Sequence, residues 1–311
     1  MWKRVLLSGP PLLLACLWVF CPLRLSAQQP SSESYQKNQD REKQFAKYRE
    51  IPGAERLGSD QCRSCHEEQA KTFRRSGHSQ QGLECEDCHG PGSQHITSDT
   101  HGSIVKFGGL KAEHANGVCL WCHAGHEELQ NWSSGAHQAH DVRCIDCHQV
   151  HTAEPKLATR RERIEACVGC HRKQEFESRL PYHHPVREAK MSCADCHDPH
   201  GGTASNNLRS SNLNELCFQC HAEIQGPFTY QHAPVVESCA KCHTPHGSMQ
   251  RNLLLVSQPT LCLQCHAGHH NGSAVPLLNS CTNCHSSIHG SDVPSATGGS
   301  VFMDKSFRNP K

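Results

Sequence analysis

Ten copies of one short pattern, Cys-x-x-Cys-His, contain the residues of this chain whose types and spacing could do chemistry. Two thiols at this spacing, followed at once by an imidazole, are the signature for covalent attachment of c-type haem. The thiols form thioethers with the porphyrin, and the histidine becomes the proximal ligand of the iron. Paired Cys-x-x-Cys sequences can also build a four-cysteine zinc site, but zinc leaves the histidine after every second cysteine unexplained. The predicted cofactors are therefore ten covalently bound haem c groups.

These copies, called box 1 to box 10 in chain order, use twenty of the 22 cysteines, and the other two, Cys16 and Cys21, lie in an apolar N-terminal stretch. The predicted attachment residues are Cys62, Cys65, Cys85, Cys88, Cys119, Cys122, Cys144, Cys147, Cys167, Cys170, Cys193, Cys196, Cys217, Cys220, Cys239, Cys242, Cys262, Cys265, Cys281 and Cys284. The predicted proximal ligands are His66, His89, His123, His148, His171, His197, His221, His243, His266 and His285.

The composition predicts a fold that depends on its cofactors. Hydrophobic residues make up only 36% of the 311 residues and aromatic residues 5%, whereas an ordinary domain carries about 45–50% apolar residues. Haem macrocycles would supply the missing apolar volume, much as a metal organises a small metal-binding domain. The predicted fold class is a multihaem cytochrome c, an elongated array of mostly irregular loops and short α-helices with little or no β-structure.

Three segments are predicted. Residues 1–27 resemble a secretory signal peptide, with Lys3 and Arg4 before an apolar run and a plausible cleavage site after Ala27. A retained membrane anchor is the alternative, although prolines interrupt the run and a span needs about 20 apolar residues. Residues 28–58 form a polar extension, expected to be a mobile tail or a loose helix. Residues 59–311 form the decahaem domain. The net charge of +1 does not indicate nucleic-acid binding.

Two boxes form the repeating unit, with a period near 50 residues that is marked by Cys119, Cys167, Cys217 and Cys262. Five such units would stack into an array, because one unit is too short to bury a core. Helices are predicted from Asp60 through Arg75, from the capping-box residue Thr159 towards Arg179, and from Asn214 onward. The remaining spans are rich in Gly, Pro, Ser and Asn and are predicted to be loops.

The second axial ligand decides what a haem does, because a filled site favours electron transfer and an open site permits substrate binding. Each unit has one histidine before its second box and another after it, which gives ten candidates. The sequence His183-His184-Pro185-Val186 aligns with His232-Ala233-Pro234-Val235 and favours His183 over His184, and His270 is favoured over His269. The predicted distal ligands are His78, His95, His137, His151, His183, His200, His232, His246, His270 and His289.

Six histidines remain outside this set and are expected to lie at the surface or beside haem propionates: His101, His114, His126, His140, His184 and His269. A histidine three residues after its own box is too close to reach the far face of the same haem. We therefore expect such a histidine to bind the iron of a neighbouring haem. Spacing is compatible with a neighbour in the same unit or in an adjoining one.

Several motifs resemble the decahaem cytochromes of the MtrA/PioA/DmsE type, the periplasmic subunits of porin–cytochrome conduits. The resemblance covers roughly residues 58–307 and is carried by Cys85-Glu86-Asp87-Cys88-His89-Gly90-Pro91-Gly92-Ser93-Gln94-His95, by residues 132–151, by residues 217–235, and by the Pro-His-Gly-Ser and Ile-His-Gly-Ser sequences around His246 and His289. This resemblance implies a haem wire inserted in an outer-membrane β-barrel porin. It also implies a periplasmic location, a periplasmic or inner-membrane cytochrome as electron donor, and a surface multihaem cytochrome or reductase as a further partner.

Two other functions were weighed against the conduit. A soluble periplasmic shuttle to a terminal reductase would have the same polar surface. A multihaem reductase of nitrite, hydroxylamine or sulfite would need an iron with an open position, but every box keeps its histidine and none has lysine there. We therefore predict an electron-transfer protein rather than an enzyme.

Overall fold

In the computed structural model, short helical segments separated by irregular loops make up the described part of the chain. The structure describes residues 40, 43–98, 102–152, 157–266, 280–283 and 285–293. Packing divides the chain into residues 1–40 and residues 41–311, and the helices and strands named here lie in the second part. The predicted fold class, a multihaem cytochrome c with short helices and little β-structure, is confirmed.

The α-helices of the described residues are short, and α6, with 12 residues, is the longest. They are α1 (Ser59–Arg63), α2 (Glu67–Phe73), α3 (Gly77–Gln80), α4 (Cys85–His89), α5 (Ser93–Thr97), α6 (Ala112–His123), α7 (Ala136–Ala139), α8 (Cys144–Cys147), α9 (Arg160–Val168), α10 (Arg172–Glu177), α11 (Leu213–Phe218), α12 (Ala233–Glu237) and α13 (Thr260–Leu263).

Single 3₁₀ turns lie between these helices, at Phe107–Gly109, Glu127–Leu129, Trp132–Ser134, Cys193–Asp195, Ser205–Asn207, Ala222–Ile224, Cys239–Lys241, Arg251–Leu253 and Cys281–Asn283. The strands of the described residues are β1 (Tyr230–Gln231) and β2 (Gly290–Ser291), which pair antiparallel with Tyr230 opposite Ser291. Within the described residues, no helix is both long enough and apolar enough to cross a lipid bilayer.

Two of the predicted helices are interrupted at a haem box. The helix expected from Asp60 through Arg75 is divided into α1 and α2, with the break at box 1. The capping box predicted at Thr159 is confirmed, because its hydroxyl accepts from the N–H of Glu162 and the Glu162 carboxylate accepts from the N–H of Thr159. That helix ends at Val168, and α10 continues the path after box 5. In both places the helix ends inside the box, whereas α6 continues through the whole of box 3.

Residues 43–58, here called the N-terminal strap, pack against units 1 and 2. Tyr48 lies against α6 so closely that a side chain at Gly117 would overlap its ring. The Arg49 guanidinium lies 3.9 Å from the ring centre of Trp121. Residues 28–58 are predicted to be a mobile tail or a loose helix, and in the described part of this segment residues 43–46 are helical.

A buried carboxylate fixes the end of the strap. Glu86, inside box 2, is only 2% exposed. Its oxygens accept from the backbone N–H groups of Leu57 at 3.0 Å, Gly58 at 2.8 Å and Gly92 at 2.8 Å. Buried charges are tolerated when hydrogen bonds replace their water, and three N–H donors do so here.

Candidate functional site

Each haem box folds into a single turn that brings its reactive side chains together. The N–H of the histidine donates to the carbonyl of the first cysteine, at 2.8 Å in box 4 (His148 to Cys144) and at 3.0 Å in box 5 (His171 to Cys167). The same bond occurs in boxes 1, 6, 7, 8, 9 and 10. This helical spacing places residues three and four apart on one face. The two thiols and the imidazole of a box therefore face the same side.

In each unit, the first cysteine of one box lies beside the first cysteine of the other box. Burial, followed by the neighbouring Cys85, raises the pKa of the Cys62 thiol to about 11. Burial and Cys239 raise the pKa of Cys217 to about 12, and a hydrogen bond with Cys167 lowers the pKa of Cys193 to about 7. Cys119 with Cys144 and Cys262 with Cys281 form the same kind of pair. The attachment points of two haems are thus adjacent in all five units.

A polar side chain three residues before the first cysteine of a unit holds this arrangement in three of the five units. The Asn116 amide accepts from the N–H of Cys144 at 2.8 Å and donates to Val142. Asn214 accepts from the N–H of Cys239 at 2.8 Å and donates to Val235. In unit 1 the Ser59 hydroxyl accepts from the N–H of Cys85 at 3.1 Å. We call these contacts the unit staples. Sequence reasoning missed them, although the shared position of Asn116 and Asn214 was a usable signal.

Successive units also meet at their boxes. Burial, then Asp87, then the neighbouring Cys122 raise the pKa of the Cys88 thiol. Burial, then Asp195, then Cys220 raise the pKa of the Cys196 thiol in the same way. Cys265 has the same effect on Cys242. The second box of one unit therefore lies beside the first box of the next.

Nine of the ten box histidines lie opposite a second histidine at a nearly constant separation. The ring centres are 5.8 Å apart in the closest pair, His89 with His151, and 6.3 Å apart in His66 with His95. The other pairs are His123 with His78, His148 with His200, His171 with His137, His197 with His246, His221 with His184, His243 with His289, and His266 with His232.

This separation fits a metal between the two rings. A metal–imidazole bond is about 2 Å long, and an imidazole centre lies about 1 Å behind its nitrogen, so two imidazoles on opposite sides of one metal have centres about 6 Å apart. No group of three or more His, Cys, Asp or Glu side chains that could hold a metal occurs in the described part of the chain. Each pair offers only two nitrogens, so an iron held there would need further ligands, which a porphyrin would supply.

Hydrogen bonds orient the rings for this role. Among the box histidines, Nδ1 of His89, His197 and His243 lies 2.7–2.8 Å from a backbone carbonyl. Among the opposing histidines, Nδ1 of His137, His184 and His232 lies 2.7–2.9 Å from the carbonyls of Pro199, Pro245 and Ile288. An imidazole that donates from Nδ1 to a carbonyl binds a metal through Nε2.

Burial supports the same chemistry by favouring the neutral imidazole. It lowers the pKa of His89, His246 and His289, and for each of them it is the largest cause of the shift. A metal ligand has to be deprotonated, so a lowered pKa reduces the competition from protons. The residues present therefore fit the haem c groups that the sequence predicts.

The pairs follow a rule that spacing did not reveal. The histidine before the second box of a unit faces the first box of the next unit, as His137 of unit 2 faces His171 of unit 3. The histidine after the second box faces the second box of the preceding unit, as His200 of unit 3 faces His148 of unit 2. Unit 1 has no preceding unit, and there His95 faces His66 of its own unit.

The structure departs from the predicted distal set at one position. His184 lies opposite His221, with ring centres 6.2 Å apart. The predicted His183 instead places Nδ1 2.6 Å from the Leu180 carbonyl and Nε2 3.4 Å from Glu188. Alignment with His232 failed because the loop before this histidine differs in length between the units. Of the other predicted site residues, His270 and Cys284 lie outside the described residues, as do His101 and His269.

Two of the histidines left outside the set have defined contacts. Nε2 of His114 lies 2.9 Å from the Tyr48 carbonyl, so this residue helps to hold the N-terminal strap. Nδ1 of His126 lies 3.2 Å from Nδ1 of the box histidine His123.

Comparison with known proteins gives the same class. The family model of the doubled CXXCH motif matches residues 183–226 and 232–271. The model described as cytochrome c-type protein NrfB-like matches residues 62–170. Together with the fold and the paired histidines, these matches define a c-type multihaem cytochrome, a protein that binds haem covalently and transfers electrons.

A curated relative specifies the family. The chain is 38% identical over 266 residues to the Multiheme cytochrome MtrA of Shewanella baltica (strain OS185), a match that covers 76% of this chain and 80% of the relative. The chain belongs to the MtrA family of multihaem cytochromes.

Proposed function

We propose that this protein holds ten haem c groups, each between two histidines, and conducts electrons along them in chain order. The nine opposed histidine pairs carry this proposal. The proposed ligand set is the predicted one with His184 in place of His183. Every described pair would hold a haem iron from both sides, which favours electron transfer over substrate binding.

The adjacency of the boxes supports a continuous path. Within a unit the first cysteines of the two boxes are neighbours, and between units the second box of one lies beside the first box of the next. Electrons tunnel efficiently only over short gaps, so attachment points that are adjacent from box 1 to box 10 favour conduction from one end to the other.

The crossed histidines add mechanical support to this path. Because each internal unit lends one histidine forward and one backward, haem ligation would tie three consecutive units together. The chain's own residues thus orient each iron site and fix its distance from the next. The bound haem supplies the one-electron chemistry of iron, and no proton donor or substrate pocket is needed at the paired sites.

We further propose that the protein works in the periplasm, inside an outer-membrane β-barrel porin. The signal-like residues 1–27 and the resemblance to the periplasmic subunits of porin–cytochrome conduits support this location. The electron donor would be a periplasmic or inner-membrane cytochrome. A surface multihaem cytochrome or reductase would be the partner at the outer end.

Purification from native membranes tests both proposals. Extraction in mild detergent should yield the chain with ten covalent haems, a low-spin ferric spectrum and a co-purifying β-barrel protein. Fewer haems, or a large high-spin fraction in the unmodified protein, would contradict the ten-site wire. Recovery only as a monomer in the soluble periplasmic fraction, reducing a soluble enzyme, would replace the conduit with the shuttle.

A further inference from the structure

Four histidines occupy equivalent places at the joints between units, but their surroundings differ. These are His151, His200, His246 and His289, each placed after a second box. His151 packs against the ring of Phe73. The glycine after His200 lies against the Asn131 carbonyl, and the glycine after His289 lies against the Phe228 ring. The glycine after His246 lies against the carbonyl of Glu177, which is the acidic residue among these four neighbours.

The carboxylate of Glu177 also reaches the imidazole of His246. Its Oε2 lies 3.3 Å from Nδ1, and the Glu177 side chain is only 19% exposed. An imidazole that binds a metal through Nε2 carries its proton on Nδ1, and this N–H can donate to the Glu177 carboxylate. A hydrogen bond to an ionised acceptor is about twice as strong as one between neutral groups.

The backbone holds Glu177 in this position. A side chain at Gly247 would overlap the Glu177 carbonyl, so the two segments are in direct contact there. Five residues further along, Tyr182 and Ser248 exchange two backbone hydrogen bonds of 3.1 and 2.7 Å. The Nδ1 of His184 adds a contact of 2.7 Å to the carbonyl of Pro245. These contacts on both sides of His246 hold the two segments together, and the second carboxylate oxygen of Glu177, Oε1, lies 3.7 Å from Nζ of the exposed Lys173.

The other ligand contacts that the structure records lack this combination of charge and burial. Nδ1 of His137, His184 and His232 faces neutral carbonyls. His221 lies 3.5 Å from Glu223, but both side chains are more than half exposed and their interaction is screened by water. Asp198 is 4.0 Å from Nδ1 of His200, which is beyond hydrogen-bonding distance.

We propose that Glu177 lowers the reduction potential of the haem held between His197 and His246, and so sets an uphill step near the middle of the array. A carboxylate that accepts from a ligating histidine raises the basicity of that ligand. A more basic ligand and a nearby negative charge both stabilise ferric over ferrous iron, since one-electron reduction removes a positive charge from the site. This inference rests on the ligand set of the proposed function.

Redox titration of the purified holoprotein, followed by visible absorption and electron paramagnetic resonance, tests the proposal. In Glu177→Gln and Glu177→Asn one haem should become easier to reduce. At a fixed potential its ratio of reduced to oxidised form should rise about tenfold, equivalent to about 59 mV for one electron. The low-spin signal of that haem should persist with altered anisotropy, because the ligand stays in place.

Glu175→Gln is the matched control. Glu175 is on the same helix, its side chain is 26% exposed, and it pairs with Arg172 and Arg179. This variant should change the ratio by less than about twofold, because Arg172 and Arg179 neutralise the Glu175 carboxylate, which does not contact a ligand. An equal shift in Glu175→Gln and Glu177→Gln would show a general charge effect and would overturn the proposal.

A ligand variant separates failure of this inference from failure of the ligand set. His246→Ala should give one high-spin haem. If that signal appears while Glu177→Gln leaves every potential unchanged, the ligand set stands and the role of Glu177 is refuted. If His246→Ala stays fully low-spin, the ligand set itself is wrong.

Discussion

The N-terminal end of the array and its interior solve the same packing problem in different ways. In the interior, the histidines that face a box come from the adjoining units, as with His137 and His200. At the end, where unit 1 has no earlier neighbour, His95 turns back to His66 of its own unit. The N-terminal strap covers this end, fixed by the buried Glu86.

The difference shows how a repeat that depends on its neighbours can stop. Repeat arrays need terminal units that differ from the internal ones, because an end face has no partner to bury it. In unit 1, His95 faces a box of its own unit, and the N-terminal strap, which is not part of the repeat, covers the end. The end therefore relies on a protein-only contact, whereas the interior joints rely on residues that haem would bind. This contrast makes the two regions respond differently to substitution.

Removal of an opposing histidine should have the largest effect. His95→Ala and His151→Ala should each convert one haem from low-spin to high-spin, because each iron would lose an axial ligand. Only His151→Ala should also loosen the link between units 1 and 2, visible as faster proteolysis between residues 98 and 119. Electron paramagnetic resonance and limited proteolysis measure the two effects. As a control, His140→Ala should keep the spectrum low-spin, and a high-spin signal there would contradict the pairing.

Loss of the buried carboxylate should have the next largest effect and should be confined to the end. Glu86→Ala leaves three N–H groups without an acceptor, of which that of Gly92 is buried and those of Leu57 and Gly58 are partly buried. Each unsatisfied group costs about 1–3 kcal/mol, so we expect a loss of about 3 kcal/mol or more in the free energy of local unfolding. Hydrogen exchange of the strap amides measures it. The exposed Glu50 of the same segment is the control, and Glu50→Ala should change exchange by less than about 0.5 kcal/mol.

Substitutions in the unit staples should lower the free energy of unfolding by smaller amounts, and the loss should be larger in the interior than at the end. Asn214→Ala removes an acceptor for the Cys239 N–H and a donor for the Val235 carbonyl, and should cost about 2 kcal/mol. Ser59→Ala in unit 1 removes one hydrogen bond and should cost about 1 kcal/mol. Chemical denaturation of the holoproteins gives both values. A larger loss in Ser59→Ala than in Asn214→Ala would show that the end depends on its staple more than the interior does.

Arg49→Lys should have the smallest effect. Lysine keeps the charge but loses the flat stacking on Trp121 and the bond from Nη1 to the Asp87 carbonyl, which measures 2.7 Å. We expect a loss of about 1 kcal/mol in strap stability. Hydrogen exchange is again the measurement, with Lys43→Arg, at an exposed position, as the reference. No change in Arg49→Lys would mean that the contacts of Arg49 do not contribute to holding the strap.

Much of the local structure could be predicted from the sequence. The box spacing predicted the attachment residues, and the capping box at Thr159 predicted where α9 begins. The low apolar content predicted a fold without a conventional core. These inferences rest on interactions within a few residues, which the sequence displays directly.

Contacts between distant segments could not be predicted in this way. The choice of His184 over His183 depends on a loop whose length differs from that of its aligned counterpart. The role of Glu86 depends on residues 57 and 58, almost thirty positions earlier, and the contact of Glu177 with His246 joins residues 69 positions apart. Nothing in the local pattern distinguishes these acids from solvated ones.

The sequence by itself determined the attachment chemistry, the number of boxes and the repeat of two boxes, because covalent ligation requires fixed residue types at fixed short spacings. The tertiary structure alone decided which histidine faces which box. Imidazoles of different units meet only when the units are stacked, and stacking placed nearly every opposing histidine across a unit boundary. The same stacking placed one carboxylate beside one ligand and covered the first unit with a strap of non-repetitive chain.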